Sequence, residues 1–170
     1  MHHIFISLVI VDDEMIGMAV VRTNERGTVL KAYADKVSDD KSFEKICDNV
    51  YKDFVHMYDE SYVVITEVSE TYEYFKKNKI TLFEAPWLNM SQLAWPLVFS
   101  GVLPGRSLDQ VAGYFGIKNN NPDTATGNCE YLTRVYWTMM RNMRLAIIAE
   151  EGMRDYGGKI IANVRSIIGI

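Results

Sequence analysis

The chain has 170 residues, with 22 Asp and Glu, 18 Lys and Arg, and a formal net charge of −4. This length suits one globular domain with its own core, and no run of about 18 apolar residues predicts a membrane-spanning helix. The acidic balance argues against a protein that binds nucleic acid through a broad basic surface, but it is compatible with an enzyme that grips a few nucleotides in a cleft.

Cysteine usage and the N-terminal sequence bear on the cellular compartment. Cys47 and Cys129 are the only cysteines, and they are far apart in the chain. Such usage is typical of a reducing compartment and does not favour a thiolate metal site. The first apolar run is short and leads directly into charged residues, which is not the pattern of a secretory signal. We therefore expect a cytoplasmic protein without a membrane partner.

An apolar run at residues 4–11 opens the chain and ends in three acids, Asp12, Asp13 and Glu14. Eight residues rich in Ile and Val predict a strand in the middle of a sheet. Because side chains alternate along a strand, we expect Asp12 and Glu14 on one face and Asp13 on the other. Neighbouring carboxylates at the edge of a core indicate a bound cation, and a strand end with solvated acids is the alternative.

The following segments predict an antiparallel meander. Residues 18–22 form a second short apolar strand, and residues 24–27 predict a tight turn in which Gly27 has a positive φ. Residues 28–37 then return as a third strand. The three strands would form consecutive antiparallel neighbours.

A helix and a parallel strand are predicted next. Ser38 can cap a helix of about 18 residues that reaches Tyr58 and has one apolar face. Residues 62–66, YVVIT, predict a fourth strand, and a helix at about residues 69–78 follows it. Short links in this order predict parallel pairing with the first strand. Residues 81–83 predict a brief fifth strand.

The second half of the chain is predicted to be helical. A helix capped by Asn89 or Ser91 reaches about residue 96, and Ser107 caps a short helix that stops at Gly116. Ten Tyr and nine Met are more than usual, and we expect such scattered aromatic and thioether side chains to fill the core rather than to form a stacking platform.

The last predicted helix is long, and an extension follows it. Residues 124–151 have one continuous apolar stripe, and Gly152 is expected to end that helix. We expect residues 1–152 to form the domain and residues 153–170 to be a C-terminal extension that packs on it. The apolar positions after Gly158 favour core completion or, alternatively, contact with a second copy in a homodimer.

Three antiparallel strands, a helix, a parallel strand and then helices describe an α/β fold: a ribonuclease H-like mixed sheet, an antiparallel three-strand meander plus parallel strands, flanked by helices. Local sequences add to this order. They are the acids at 12–14, VVRTNERGTVLKAYADKV at 20–37, GRSLDQVAGYFGI at 105–117 and NPDTATGNCEYLTRVYWTM at 121–139. In this order the chain, from about residue 4 to 140, resembles the DnaQ-like, or DEDD, family of 3′–5′ exonucleases.

The resemblance implies two-metal catalysis, in which four carboxylates hold two Mg²⁺ or Mn²⁺ ions that activate water and stabilise the leaving oxygen of a phosphodiester. Asp12 and Glu14 match the family's first two acids. Thr71 stands where the family has its third Asp, and Asn128 stands where it has the last. Asp123 takes the place of the histidine that serves as general base in one branch of the family.

These departures favour an exonuclease-like protein whose catalysis is impaired or lost. Asn128 offers a neutral carbonyl, so Asp12 and Glu14 alone would hold dications weakly. Asp123 would be a remnant of the site and a metal ligand if any ion binds. Such a protein would act by binding nucleic acid, for example the 3′ end of DNA or RNA, or a protein partner.

Two alternatives belong to other classes. The first is an active, Mg²⁺- or Mn²⁺-dependent 3′–5′ exonuclease with relocated ligands: Asp12, Glu14 and Asp123 together with Glu67 or Glu70. The second is a structural or oligomerising module.

Overall fold

The computed structural model describes residues 2–38, 42–54, 62–67, 69–80, 82 and 85–154, and the side chains of these except Tyr62, Ser69 and 144–154. The elements are β1 (His2–Val11), β2 (Glu14–Thr23), β3 (Val29–Lys36), α1 (Phe43–Phe54), β4 (Tyr62–Thr66), α2 (Ser69–Lys77), β5 (Trp87–Asn89), α3 (Met90–Phe99), α4 (Leu108–Tyr114) and α5 (Ala125–Arg154). No helix within these ranges is long and apolar enough to cross a membrane.

The sheet has five strands in the order β3-β2-β1-β4-β5. β1, β2 and β3 form the predicted antiparallel meander, and β4 is parallel to β1, as predicted. β5 is parallel to β4. The prediction of a mixed ribonuclease H-like sheet flanked by helices is therefore confirmed.

The chain divides into two compact units, which we call unit 1 (Met1–Asn89 and Asn119–Thr133) and unit 2 (Met90–Lys118 and Arg134–Ile170). Unit 1 contains the sheet, α1, α2 and the start of α5. Unit 2 contains α3, α4 and the rest of α5.

Unit 1 has a layer of helices on each face of the sheet. One face carries α1 and α2, and its core is a cluster of buried side chains from the strands and both helices: Ile4, Ile6, Met15, Met18, Val20, Ile46, Cys47, Val50, Phe54, Val64, Phe75 and Leu82. On the other face, the Cys129 thiol of α5 lies 3.5 Å from the carbonyl oxygen of Phe5, to which it donates. The first turns of α5 therefore pack on the central strands.

In unit 2 the short helix α4 begins and ends as predicted from its caps, and α3 reaches Phe99, a little beyond the predicted residue 96. The Ser107 hydroxyl accepts from the N–H of Gln110, and the Gln110 side chain accepts from the N–H of Ser107, which makes a capping box at the start of α4. Gly116, with a φ of 67°, follows its end. Gly101, with a φ of 77°, lies just beyond α3.

Two predicted boundaries are wrong, and one predicted strand lies mostly outside the described residues. The fifth strand of the sheet is Trp87–Asn89, whereas of residues 81–83 only Leu82 is described, as a buried core residue. The predicted cap at Ser38 is wrong because α1 begins at Phe43, and the Ser42 hydroxyl accepts from the N–H of Lys45. The predicted end at Gly152 is also wrong, because α5 continues through this glycine to Arg154.

Two further predictions fall outside the described residues. They concern the end of the first predicted helix at Tyr58 and the apolar segment after Gly158, on which the extension and the homodimer depend.

Candidate functional site

The predicted acids lie at the tip of the β1–β2 hairpin. Val11 pairs with Glu14, so Asp12 and Asp13 are the two residues of the connecting turn. Their φ angles are 51° and 68°, and two positive φ values are typical of a type I′ turn, which Asp tolerates. The expectation that Asp12 and Glu14 lie on one face of a continuous strand is therefore wrong, because the chain reverses between them.

This turn projects beyond the parallel part of the sheet. The pairing of β1 with β4 ends at Ile6 and Thr66, and Val11 lies five residues further on, about 16 Å at the rise of a strand. Asp12, Asp13 and Glu14 are all exposed.

The hairpin tip contacts α2. The Asp13 carboxylate lies 2.6 Å from the Lys77 Nζ, and the N–H of Met15 donates to the Tyr74 hydroxyl at 2.9 Å. The hydrogen bond and charge of Lys77 lower the pKa of Asp13 below its ordinary value. Asp13 is thus engaged in holding the hairpin against a helix.

Asp123 lies in a different place, an open pocket of about 590 Å³ in unit 1. Three parts of the chain line this pocket: β1 and β2 near the irregularity in their pairing between Val9 and Ile10, the end of β3 and the start of α5. The lining residues are Val9, Ile16, Gly17, Met18, Ala34, Asp35, Lys36, Val37, Asp123, Thr124, Ala125 and Thr126. Neither Asp12 nor Glu14 is among them, and β1 contributes the apolar Val9.

A tightly packed loop leads into α5 and forms one wall of the pocket. The Thr124 hydroxyl caps the helix by accepting from the N–H of Gly127 at 3.0 Å. A Cβ at Gly127 would lie 2.1 Å from the carbonyl oxygen of Asn121, so only glycine permits this approach. The loop is therefore fixed by residues on the first turn of α5.

Asn128 takes part in fixing the same loop. Its side-chain oxygen accepts from the Asn119 amide at 2.8 Å, and the Asn119 oxygen accepts from the N–H of Asn121 at 3.1 Å. The side-chain oxygen of Asn128, which the sequence resemblance assigned to the place of the family's last Asp, thus accepts a hydrogen bond from a protein donor. Its observed role is structural.

Thr71, which the sequence resemblance assigned to the place of the family's third Asp, is buried on α2, with 7% of its surface exposed. A carboxylate at this position would lose most of its hydration, and such a charge needs a compensating partner. The neutral hydroxyl of Thr71 avoids that cost.

The predicted ligands do not make up a metal centre. Within the described ranges, no three His, Cys, Asp or Glu side chains are grouped so that they could hold an ion. Asp12, Glu14 and Asp123 are therefore not one ligand group, and neither Glu67 nor Glu70 completes one. The arrangement does not fit two-metal chemistry.

Neither of the two cysteine thiols offers a nucleophile that could replace a metal centre. Burial raises the pKa of Cys129 to about 12, and burial together with the nearby acids Asp48 and Glu44 raises that of Cys47 to about 12. Both thiols are therefore protonated at neutral pH and unreactive.

The mixed sheet with helices on both faces defines a ribonuclease H-like nuclease fold. Among solved structures, the chain is similar to E. coli exonuclease I in complex with a dT13 oligonucleotide, with 9% identity, a TM-score of 0.58, and coverage of 88% of this chain and 43% of that chain. For the zinc-bound complex of E. coli exonuclease I with single-stranded DNA, the identity is 12%, the TM-score is 0.52, and the match covers 91% of this chain and 42% of that chain. For a third exonuclease I structure, analysed for its processivity, the identity is 10%, the TM-score is 0.52, and the match covers 78% of this chain and 39% of that chain.

These likenesses show the fold alone, because the identities are low. The chain spans about two fifths of the length of the exonuclease I chains. No protein-family model matches the chain, and no curated protein matches its sequence.

Proposed function

We propose that the chain is a DnaQ-like nuclease-fold protein that binds single-stranded nucleic acid without cleaving it. The observation that carries this proposal is the separation of the expected catalytic groups. Asp12 forms part of a hairpin turn, Asp123 lines a pocket that excludes Asp12 and Glu14, and Asn128 bonds Asn119. Cleavage by two metal ions requires several carboxylates at one point.

The distribution of charge supports binding to a polyanion. Unit 1 contains 18 Asp and Glu and ten Lys and Arg, whereas unit 2 contains four Asp and Glu and eight Lys and Arg. The net charge of −4 for the whole chain therefore combines an acidic unit 1 with a basic unit 2. Exonuclease I, whose fold is similar, is itself known in complexes with an oligonucleotide and with single-stranded DNA.

Binding of this kind needs no metal ion. Phosphates are attracted by Lys and Arg directly, with release of counterions. The complex should therefore form in EDTA and weaken steeply as salt is added. An exonuclease would instead need Mg²⁺ or Mn²⁺ for turnover.

The test combines digestion with binding. Labelled single-stranded and duplex DNA and RNA are incubated with the full chain in Mg²⁺ or Mn²⁺, and fluorescence anisotropy measures binding of the same strands in EDTA at low salt. We expect intact strands and saturable binding. Metal-dependent 3′ trimming that disappears in Asp12→Ala would overturn the claim that catalysis is lost, and absence of binding to every strand would overturn the claim of nucleic-acid binding.

A further inference from the structure

Helix α3 in unit 2 exposes two large aromatic side chains. Met90, Ala94 and Leu97 are buried on one side of this helix. On the other side, Trp95 is 51% exposed and Phe99 is 82% exposed, the highest value among the large apolar side chains that the structure describes. Packing therefore explains one side of α3 but not the other.

Trp95 and Phe99 are close enough to act together. They are four residues apart, which places them one above the other on a helix. Their ring centroids are 6.3 Å apart, with an angle of 43° between the planes. Two neighbouring open rings present flat apolar faces on which unpaired bases stack.

A cation lies beside this pair. The Cζ of the Arg106 guanidinium is 5.5 Å from the centroid of the Trp95 ring. The Ser91 hydroxyl of α3 donates to the carbonyl oxygen of Arg106 at 3.3 Å, which ties the loop before α4 to the helix. A guanidinium held beside an aromatic ring can contact a phosphate while the ring receives the base.

The net charge of unit 2 favours one class of partner. In the part of unit 2 with described side chains, residues 90–118 and 134–143, four basic residues stand against one acid: Arg106, Lys118, Arg134 and Arg141 against Asp109. A unit with a net positive charge, with Arg106 beside two open aromatic rings, is complementary to a polyanion with exposed bases. Bases of a duplex are stacked within the helix, so a single strand fits and a duplex does not.

From these observations we infer that Trp95, Phe99 and Arg106, which we call the aromatic surface, form a stacking site for single-stranded nucleic acid. This inference rests on the proposed function, and it assigns binding to unit 2 rather than to the pocket that contains Asp123. The strand contacts the site through base faces and phosphates, so the site has little preference for sequence.

Anisotropy of a fluorescent oligo(dT) strand in EDTA tests the aromatic surface. Trp95→Ala and Phe99→Ala should each raise Kd about 5- to 100-fold, because each removes a stacking face. Trp95→Phe should recover much of the affinity. Arg106→Gln should make log Kd depend less on log salt, with a slope about 0.7 smaller for one lost phosphate contact on a single strand.

Tyr51→Ala is the matched control, since Tyr51 is an aromatic residue on a helix of unit 1 with 44% of its surface exposed. It should leave Kd unchanged. Thermal unfolding checks that every variant is folded, and because Phe99 is so exposed, Phe99→Ala should unfold as the wild type does.

The possible failures are distinguishable. If the wild type binds oligo(dT) and the folded Trp95 and Phe99 variants bind it equally well, the aromatic surface is not the site, but the proposed function stands. If the wild type binds no strand, both proposals fail. If the variants change only the sedimentation of the protein without oligonucleotide, the surface is a contact between copies and the inference is overturned.

Discussion

Units 1 and 2 differ in net charge and in the kind of side chains that they expose. Unit 1 has the nuclease-like sheet and an excess of acids. Of the polar groups expected to be catalytic there, Asp12 belongs to a hairpin turn, Asn128 bonds a packed loop and Asp123 lines a pocket without the other expected catalytic acids. Unit 2 has an excess of basic residues and exposes Trp95 and Phe99. The fold alone therefore does not locate a binding site, and our proposal for one rests on charge and exposed apolar area instead.

The largest expected effect contrasts two phenylalanines. Phe5 is fully buried in the central strand of unit 1, and Phe5→Ala should lower the free energy of unfolding by about 3–5 kcal/mol. Phe99→Ala should change it by less than about 0.5 kcal/mol, because Phe99 is mostly in water. Chemical denaturation measures both values. A large loss of stability in Phe99→Ala would show that this ring belongs to the core rather than to a binding surface.

Two glycines provide the next contrast. Gly127→Ala in unit 1 would place a Cβ against the backbone of Asn121 and should cost about 1–3 kcal/mol. Gly113→Ala in α4 meets nothing within 4 Å and should stabilise unit 2 by about 0.5–1 kcal/mol, because Ala favours helix over Gly. Melting temperatures should therefore shift in opposite directions. Equal shifts would mean that the loop before α5 is not packed as described.

Asn128 separates a structural role from a catalytic one. Asn128→Ala leaves the Asn119 amide without its acceptor and should lower stability by about 1 kcal/mol. Asn128→Asp keeps an acceptor and should be nearly as stable as the wild type. It should also remain unable to trim oligonucleotides in Mn²⁺, since the described Asp and Glu side chains form no metal-holding group for a new carboxylate to complete. Metal-dependent trimming by Asn128→Asp would show that the catalytic site is intact apart from this residue.

The smallest effect concerns the hairpin tip. Lys77 lowers the pKa of Asp13 from 3.8, so this ion pair stabilises the fold above that pH and the contribution is lost as pH falls through the lowered value. Because both groups are exposed, the change in stability should be slight. Carboxyl NMR should give Asp13 a midpoint below 3.8 that returns to the ordinary value in Lys77→Met. An unchanged midpoint in that variant would rule out the contact.

Periodicity predicted most of the sheet but not the position of its acids. Residues 62–66 form β4 as predicted, because a short β-branched run between turn signals favours a strand over other structures. The Asp12-Asp13 turn could not be inferred in the same way, since these acids follow the strand without the Gly that usually marks a type I′ turn. The sequence match to a catalytic pair therefore did not reveal that the chain reverses there.

The sequence also did not predict which aromatic side chains are exposed. Helix α3 is apolar on nearly all sides, MSQLAWPLVF, so its spacing does not distinguish a buried face from an open one. The expectation that aromatic residues mainly fill the core describes Phe5 and Phe75 but not Trp95 or Phe99. Only the packing of α3 within unit 2 reveals which of its rings are exposed.

Hydrogen–deuterium exchange of the full chain, with and without oligo(dT) in EDTA, tests most directly which unit binds the strand. Our account predicts slower exchange with oligonucleotide over Met90–Phe99 and residues 100–106, and unchanged exchange at residues 123–126 and in the Asp12-Asp13 turn. Slower exchange confined to the segments that line the pocket, with α3 unchanged, would contradict it.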